Sequence, residues 1–317
     1  MSEELRVVAL GGGHGLAATL TALRSLTSNI TAVVTVADNG GSSGRLRAEF
    51  PIFPPGDLRM ALAALCSDDE WGRSWAEIMQ YRFTSSGPMD GHAVGNLLLA
   101  ALWDKGEDSV AGLDRVGALL KITGRVLPMA AVPLDIVATF KTMHGEIEVQ
   151  GQKEVATTKG ELISLRIIPS NPDARVETLQ AIAEADLITM GPGSWFSSVL
   201  PHLLVPAQRD ALVKSRAKKV LLLNLDEGVG SEVGEYAGQS ALEHLRIVKK
   251  YAPDLHFDYV VVDPSVVEDR NLLSEEVSSQ GGELVIEDLR DEVEKIHHSP
   301  RKLTSLFAHI AKKILIG

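Results

Sequence analysis

The residues with the clearest chemical promise lie in three glycine-rich stretches, each directly after a run of β-branched or apolar residues. The first is Gly11-Gly12-Gly13-His14-Gly15. Glycines let backbone N–H groups approach a phosphate, and a helix N-terminus behind them adds partial positive charge. The expected contacts are Gly12, Gly13 and His14. The spacing departs from G-x-G-x-x-G, whose last slot would fall on Leu16, and a tight turn alone would also use such glycines. The second stretch runs from Asp38 through Asn39, Gly40, Gly41, Ser42, Ser43, Gly44 and Arg45 to Arg47. Asp38 stands where a dinucleotide fold places its ribose-binding acid. Hydroxyls, free amides and two arginines follow it at once, a set that suits an anion. Asp38, Asn39, Gly41, Ser42, Ser43 and Arg45 are the expected contacts, with Asp38 open to a ribose role or to a metal or hydroxyl role. The third stretch is Gly191-Pro192-Gly193-Ser194. Gly191, Gly193 and Ser194 are the candidates here, although Ser194 also reads as the N-cap of the next helix. Three such turns at one end of a sheet point together to a nucleotide with a diphosphate.

Further candidates stand between these turns. Pro54-Pro55-Gly56-Asp57-Leu58-Arg59 leads into a helix. Asp57 reads as its N-cap, or as a residue that positions Arg59 or binds metal. His92 and Asn96 are four apart and are expected on one helix face. Gly95 between them suggests close approach of a ligand or another backbone, or helix packing. No further His, Cys or acid stands at zinc-ligand spacing. Asn224 ends a strand and is expected at the same rim. His297-His298 read as surface residues. Ser299-Pro300 reads as an N-cap with proline at the first helical position, which places Arg301 in a first turn where the helix dipole disfavours base. Two readings follow for Arg301: contact with a ligand diphosphate, or a surface pair with Glu292 or Glu294.

The elements that must position these residues follow from apolar periodicity. Leu5–Leu10 reads as a buried strand. Leu16, Leu20, Leu23 and Leu26 form the stripe of a helix, and Ile30–Val36 is a second strand. Strand, glycine turn, helix, strand is the first unit of a parallel α/β sheet. Leu58–Cys66, Trp71–Tyr81, His92–Trp103 and Val110–Leu120 read as helices, so residues 57–122 are expected to form a helical insertion. Ile136–Lys141, Glu146–Gln150 and Leu162–Ile168 read as strands. Leu187–Met190, Trp195–Leu204, Val220–Leu225, Ser240–Lys249, Tyr259–Val262 and Lys302–Ile316 then alternate strand and helix. Ser231–Gly238 and Ser274–Gly282 read as loops. The expected architecture is one Rossmann-like α/β domain over residues 1–317, a mostly parallel sheet with helices on both faces.

Composition bounds the function. The 317 residues are 45% hydrophobic and 23% charged, the balance of a globular chain rather than a disordered or collagen-like one. The net charge of −11 argues against broad nucleic-acid or anionic-lipid binding. A single cysteine, Cys66, cannot form an internal disulfide and suits a reducing compartment. The acidic start, Ser2-Glu3-Glu4, lacks the base of a signal peptide, and no apolar run approaches the roughly 20 residues of a membrane span. A cytoplasmic protein without membrane insertion is expected.

The strings GGGHG at 11–15, VTVADNGGSSGRLR at 34–47, PPGDLR at 54–59, QYRF at 80–83, GHAVGNLLLAAL at 91–102, GRVLP at 124–128 and GPGSWFSS at 191–198 cover nearly the whole chain. In this order they resemble the gluconeogenesis factor (YvcK-like) family and, more distantly, 2-phospho-L-lactate transferase (CofD-like). The resemblance implies a Rossmann-like fold and a UDP-sugar ligand such as UDP-N-acetylglucosamine. It implies cytoplasmic control of cell shape and of envelope and peptidoglycan synthesis on gluconeogenic carbon. No cofactor is required, and a homodimer is implied. The transferase branch implies transfer of a phospholactyl group from a guanosine diphosphate adduct onto a deazaflavin. In an enzyme of that type, Asp38 and Asp57 are candidates to hold Mg²⁺ across a diphosphate while a hydroxyl attacks phosphorus. Departures from the family pattern are His14, Asn39, Met60, the segment from Asn224 to Glu232, and His298-Ser299-Pro300.

Overall fold

The computed structural model describes residues 4–225, 240–294 and 296–316. The chain opens with β1 (Val7–Gly11), α1 (Gly13–Leu23) and β2 (Ile30–Val34). Five helices follow: α2 (Gly41–Glu49), α3 (Pro55–Ala64), α4 (Glu70–Gln80), α5 (Val94–Asp104) and α6 (Ser109–Leu120). Next come β3 (Arg125–Pro128), β4 (Asp135–Thr142), β5 (Gly145–Gln150), α7 (Gln152–Thr157) and β6 (Glu161–Ile168). The second half runs α8 (Val176–Glu184), β7 (Leu187–Met190), a π-helical turn (Trp195–Val199), α9 (Pro201–Leu204), α10 (Pro206–Lys214) and β8 (Lys218–Leu222). It ends with α11 (Ala241–Tyr251), β9 (Tyr259–Val262), α12 (Arg270–Ser279), β10 (Glu283–Ile286) and α13 (Pro300–Ile316).

Seven strands form one parallel sheet in the order β10-β9-β8-β7-β1-β2-β3. β1 sits between β2 and β7, with Val7 opposite Ile30 on one side and Leu187 on the other. The chain therefore builds outward through β2 and β3, then returns to β7 and builds the other way. Open parallel sheets bind ligands beyond the carboxyl ends of the strands at such a reversal. Every residue of β1, β7 and β9 is buried. That explains why these strands read as unbroken apolar runs: both faces of the sheet are covered. On α1, Leu16, Leu20 and Leu23 are buried, and the helix packs against α3 and α13. Burial of each such leucine is worth about 1.5–3 kcal/mol, and the stripe fixes which way the N-terminus of α1 points. No described helix is long and apolar enough to cross a membrane.

Several local expectations change. The glycine- and serine-rich second stretch is helical from Gly41, as α2, and so presents a helix N-terminus rather than a loop. The three strands read between 136 and 168 form a separate antiparallel sheet, β5-β4-β6. Residues 125–128 add an edge strand that alternation alone did not show. The helix expected over Trp195–Leu204 is broken into the π-helical turn and α9, where Pro201 lacks the N–H that would continue it. The loop read at Ser274–Gly282 is helical through Ser279. Asp269 caps α12, and Leu273 and Val277, four apart, are buried. The loop read at Ser231–Gly238 lies outside the described residues.

Candidate functional site

The first and third glycine turns follow β1 and β7, the two strands at the reversal, and they pack against each other. Gly12 is the N-cap of α1 and offers no side chain to it. A Cβ at Gly12 would stand 2.5 Å from Asp57 Oδ2 and from Thr35 Cγ2, so only glycine fits. In the third turn Gly191 follows β7 and Gly193 holds φ at +154°, a conformation side chains rarely adopt. A Cβ there would lie 3.6 Å from the Gly12 carbonyl oxygen. Asn224 fixes this turn from the end of β8. Its Oδ1 accepts from the Gly193 N–H at 2.8 Å, and its Nδ2 donates to the Gly193 carbonyl at 2.7 Å. Both ends of the Asn224 amide are therefore used on the backbone, which makes it a positioning residue. Residues 226–232 lie outside the described residues. Ser194 occupies the N-cap position, but its side chain makes no cap bond and pairs with the Ser197 hydroxyl at 2.6 Å.

The second stretch splits into backbone facing the cleft and side chains committed elsewhere. Asp38 Oδ1 accepts from the Gly40 N–H at 2.8 Å. The cap of α2 is Gly40, with no side-chain cap bond, and Gly41 begins the helix. The first N–H groups of a helix have no intrahelical acceptor. The side chains expected to meet an anion do other work. Arg45 donates to the carbonyls of Pro88 at 3.0 Å and Asp90 at 2.6 Å. Arg47 donates to the Asp38 carbonyl at 3.1 Å and pairs with Asp135 at 3.0 Å. Asn39 joins α7, donating to Glu154 at 3.2 Å and accepting from the Lys153 N–H at 3.3 Å. Ser43 is buried and accepts from the Gly56 N–H at 3.0 Å, which ties α2 to the start of α3.

Asp57 is the third residue of α3, not its N-cap, which is Pro54. It is half-buried and accepts from the Gly13 N–H. Loss of hydration, and then the neighbouring Asp38 carboxylate, push its pKa up to about 7. Two residues on, Arg59 is 2% exposed and donates from Nε to Asn96 Oδ1 at 2.9 Å. Burial, and then Arg82, lower its pKa to about 10, against the pull of Asp57 and Asp38. Motif reading passed over Arg59 as a site residue. The available signal was one charge inside the otherwise apolar run Leu58–Cys66, broken only by Arg59.

His92 lies before α5, not on a helix face with Asn96. The two meet through Ser42 instead. Asn96 Nδ2 donates to Ser42 Oγ at 3.0 Å, and Ser42 Oγ lies 2.9 Å from His92 Nδ1. Gly95 makes room for side chains, since a Cβ there would lie 2.7 Å from Met79 Cε and 2.8 Å from Arg59 Cγ. Desolvation, and then Arg45 and Arg82, lower the His92 pKa. His14 is exposed and stacks on His297, with ring centroids 5.1 Å apart. Desolvation, His297 and Arg59 lower its pKa. His298, expected at the surface, is buried, and its pKa falls to about 4, chiefly through loss of hydration. Arg301 pairs with Glu292 at 2.9 Å in full exposure, the side-chain pair being 79% and 75% accessible. The surface pairing is thus the one found.

The cleft therefore assembles Gly12, Gly13, Asp38, Asp57, Gly193 and the N-terminus of α2, with Ser42, His92, Asn96 and Arg59 behind it. Arg45, Asn39 and Arg301 make their contacts elsewhere. Among the described residues no group of three His, Cys, Asp or Glu side chains could hold a metal ion, so the two carboxylates would supply only part of any coordination shell.

A family model described as 2-phospho-L-lactate transferase CofD matches residues 7–303. A Mycobacterium tuberculosis protein named "Putative gluconeogenesis factor" is 49% identical over 261 residues, which cover 81% of this chain and 75% of that protein. A Listeria monocytogenes protein named "Gluconeogenesis factor" is 34% identical over 278 residues, covering 86% of this chain and 82% of its own. A solved structure of a UPF0052 family member from Bacillus halodurans aligns with a TM-score of 0.82 at 29% identity, over 96% of this chain and 99% of that one. With the glycine turns, the reversed sheet and these relatives in agreement, the chain belongs to the CofD family, among relatives that carry the gluconeogenesis factor name.

Proposed function

We propose that the cleft binds a nucleoside-diphosphate sugar, a UDP-sugar such as UDP-N-acetylglucosamine. In this reading the protein is a cytoplasmic regulator that links gluconeogenic carbon use to cell shape and envelope synthesis. The observation that carries it is the meeting of the Gly12 and Gly193 turns at the sheet reversal, beside the N-termini of α1 and α2, neither of which has a side-chain cap. Backbone N–H groups and helix dipoles aimed at one place suit a diphosphate. The relatives' name supports the metabolic half of the reading.

The test is a thermal-shift series with UDP-N-acetylglucosamine, GDP and NAD, with and without Mg²⁺. A ligand present at 100 times its Kd should add about 2.7 kcal/mol to stability. Stabilisation by UDP-N-acetylglucosamine above that by NAD supports the reading, and equal shifts, or a shift by NAD alone, end it. One observation favours a transferase reading as the second: Asp38 and Asp57 are close enough for one carboxylate to raise the pKa of the other. A cation there would take its remaining oxygens from a diphosphate and water. Stabilisation by GDP that requires Mg²⁺ would favour that reading.

A further inference from the structure

The cleft holds more positive charge than a diphosphate at the glycine turns requires. Arg59 carries five N–H donors and uses one, on Asn96. Its Nη1 is shielded from solvent and has no acceptor. Buried guanidinium groups are ordinarily paired, because an unpaired buried charge is costly. Among the described residues no carboxylate lies within ion-pair distance of Arg59; Asp57 and Asp38 act on it only from further away. Arg82 is exposed and spends one donor on the Gly91 carbonyl, at 2.8 Å. An antiparallel bridge to Ala93, and the Phe83 N–H donating to the His92 carbonyl at 3.0 Å, hold its backbone beside His92, and its charge lowers the pKa values of Arg59, His14 and His92. Ser42 Oγ accepts from Asn96 and lies 2.9 Å from His92 Nδ1; with the Ser42 proton directed to Nδ1, the imidazole proton sits on Nε2. That tautomer leaves the one ring donor, Nε2–H, for a ligand. Glu294 acts on His14 and Glu49 on His92, but neither carboxylate is paired with Arg82. Two arginines that repel one another, beside two imidazoles whose pKa values positive neighbours lower, in a chain of net charge −11, form an arrangement that an anion would relieve.

We propose that Arg82 and the Nε2–H of His92, over the buried charge of Arg59 and on the His14 side of the first glycine turn, form a second oxyanion subsite, distinct from the meeting of the Gly12 and Gly193 turns, that takes a phosphoryl group. Its ligand is either a second charged group of the cleft's nucleotide or a free anionic co-ligand. The subsite deepens the nucleotide reading but does not depend on it, since inorganic phosphate is a sufficient probe.

The experiment is calorimetric titration of the full chain with inorganic phosphate at pH 7.5, and with acetate as the carboxylate control, alone and with saturating UDP. Phosphate should bind and acetate should bind more weakly, because a dianion gains more from two guanidinium charges. Arg82→Gln changes an exposed residue and should fold. It should weaken phosphate at least about tenfold, the scale of one charge-assisted hydrogen bond. Arg59→Lys keeps the charge but loses the fork and should weaken it less. Gly193→Val should lose UDP and keep phosphate. A UDP-bound protein that still takes phosphate with nearly unchanged affinity supports two subsites and points to a free co-ligand. No binding of phosphate to the native chain overturns the proposal, as does undiminished affinity in Arg82→Gln. Phosphate lost together with UDP in Gly193→Val also overturns it, because the ion then sits at the glycine turns. If phosphate binds in an Arg82-dependent way while no UDP-sugar binds, the subsite stands and the UDP-sugar reading falls.

Discussion

Replacing Asp57 with asparagine should stabilise the protein at pH 8 and leave it unchanged near pH 4. The Asp57 carboxyl is pushed from an ordinary 3.8 to about 7 by lost hydration and by Asp38. Its folded pKa is raised above the unfolded value, so the folded state holds a proton that the unfolded state has released between about pH 4 and pH 7. Stability therefore falls as pH rises through that window, and the cost is complete above about pH 7. About three pKa units correspond to roughly 4 kcal/mol, and partial contact with solvent brings the expected gain nearer about 2–3 kcal/mol. Asparagine keeps an oxygen for the Gly13 N–H and turns N–H donors toward Asp38, which removes the like-charge term. The assay is urea denaturation of both proteins across pH 4.5–8.5 without divalent cations, read as a difference. His202, His244 and His298, whose pKa values burial lowers to about 4, impose an opposite slope between about 4 and 6.5, but they do so in both proteins and cancel. A flat difference profile, or an Asp57→Asn variant less stable than the native protein at pH 8, would refute the reasoning.

Three further outcomes are expected. Asn224→Ala should weaken UDP-sugar binding by about 1–3 kcal/mol, the usual cost of leaving a partly buried N–H and C=O without partners, with circular dichroism unchanged; undiminished affinity would show that the Gly193 turn holds its shape alone. Ser43→Leu should fail to fold, because it replaces a buried acceptor of the Gly56 N–H, and a soluble, native-like variant would show that the α2–α3 junction does not need that bond. Arg301→Ala should leave both affinity and stability within about 0.5 kcal/mol of native, since it breaks an exposed pair; titration calorimetry that found weaker nucleotide binding would return Arg301 to the site.

What the sequence made legible, and what it hid, divides along the backbone. The β1–α1–β2 unit, the helical run α3 to α6 and the placement of the glycine turns at strand ends all follow from local apolar spacing. Leu16, Leu20 and Leu23 declare a helix, and the unbroken runs of β1 and β7 declare strands covered on both faces. The third turn's neighbour was not local: Gly193 meets Gly12 because β7 pairs with β1, and no pattern within either segment contains that pairing.

Side-chain roles were least legible where residue type and need coincided by chance. Serines and arginines after Asp38 are the residues that bind phosphate, but they are equally the residues that satisfy carbonyls and amides between packed helices. Arg45 and Ser43 went to that second use. Arg59 was hidden in the opposite way. It reads as an ordinary helix residue until burial shows that its surroundings supply one acceptor for five donors. Sequence shows which groups are available, and only the fold shows which have been spent. The working test for a ligand contact is therefore the charge or amide left without a counterpart: the first amides of α2 and the guanidinium groups of Arg59 and Arg82, which no described carboxylate pairs, pass it, whereas Arg301 is paired with Glu292 and both ends of the Asn224 amide are spent on Gly193.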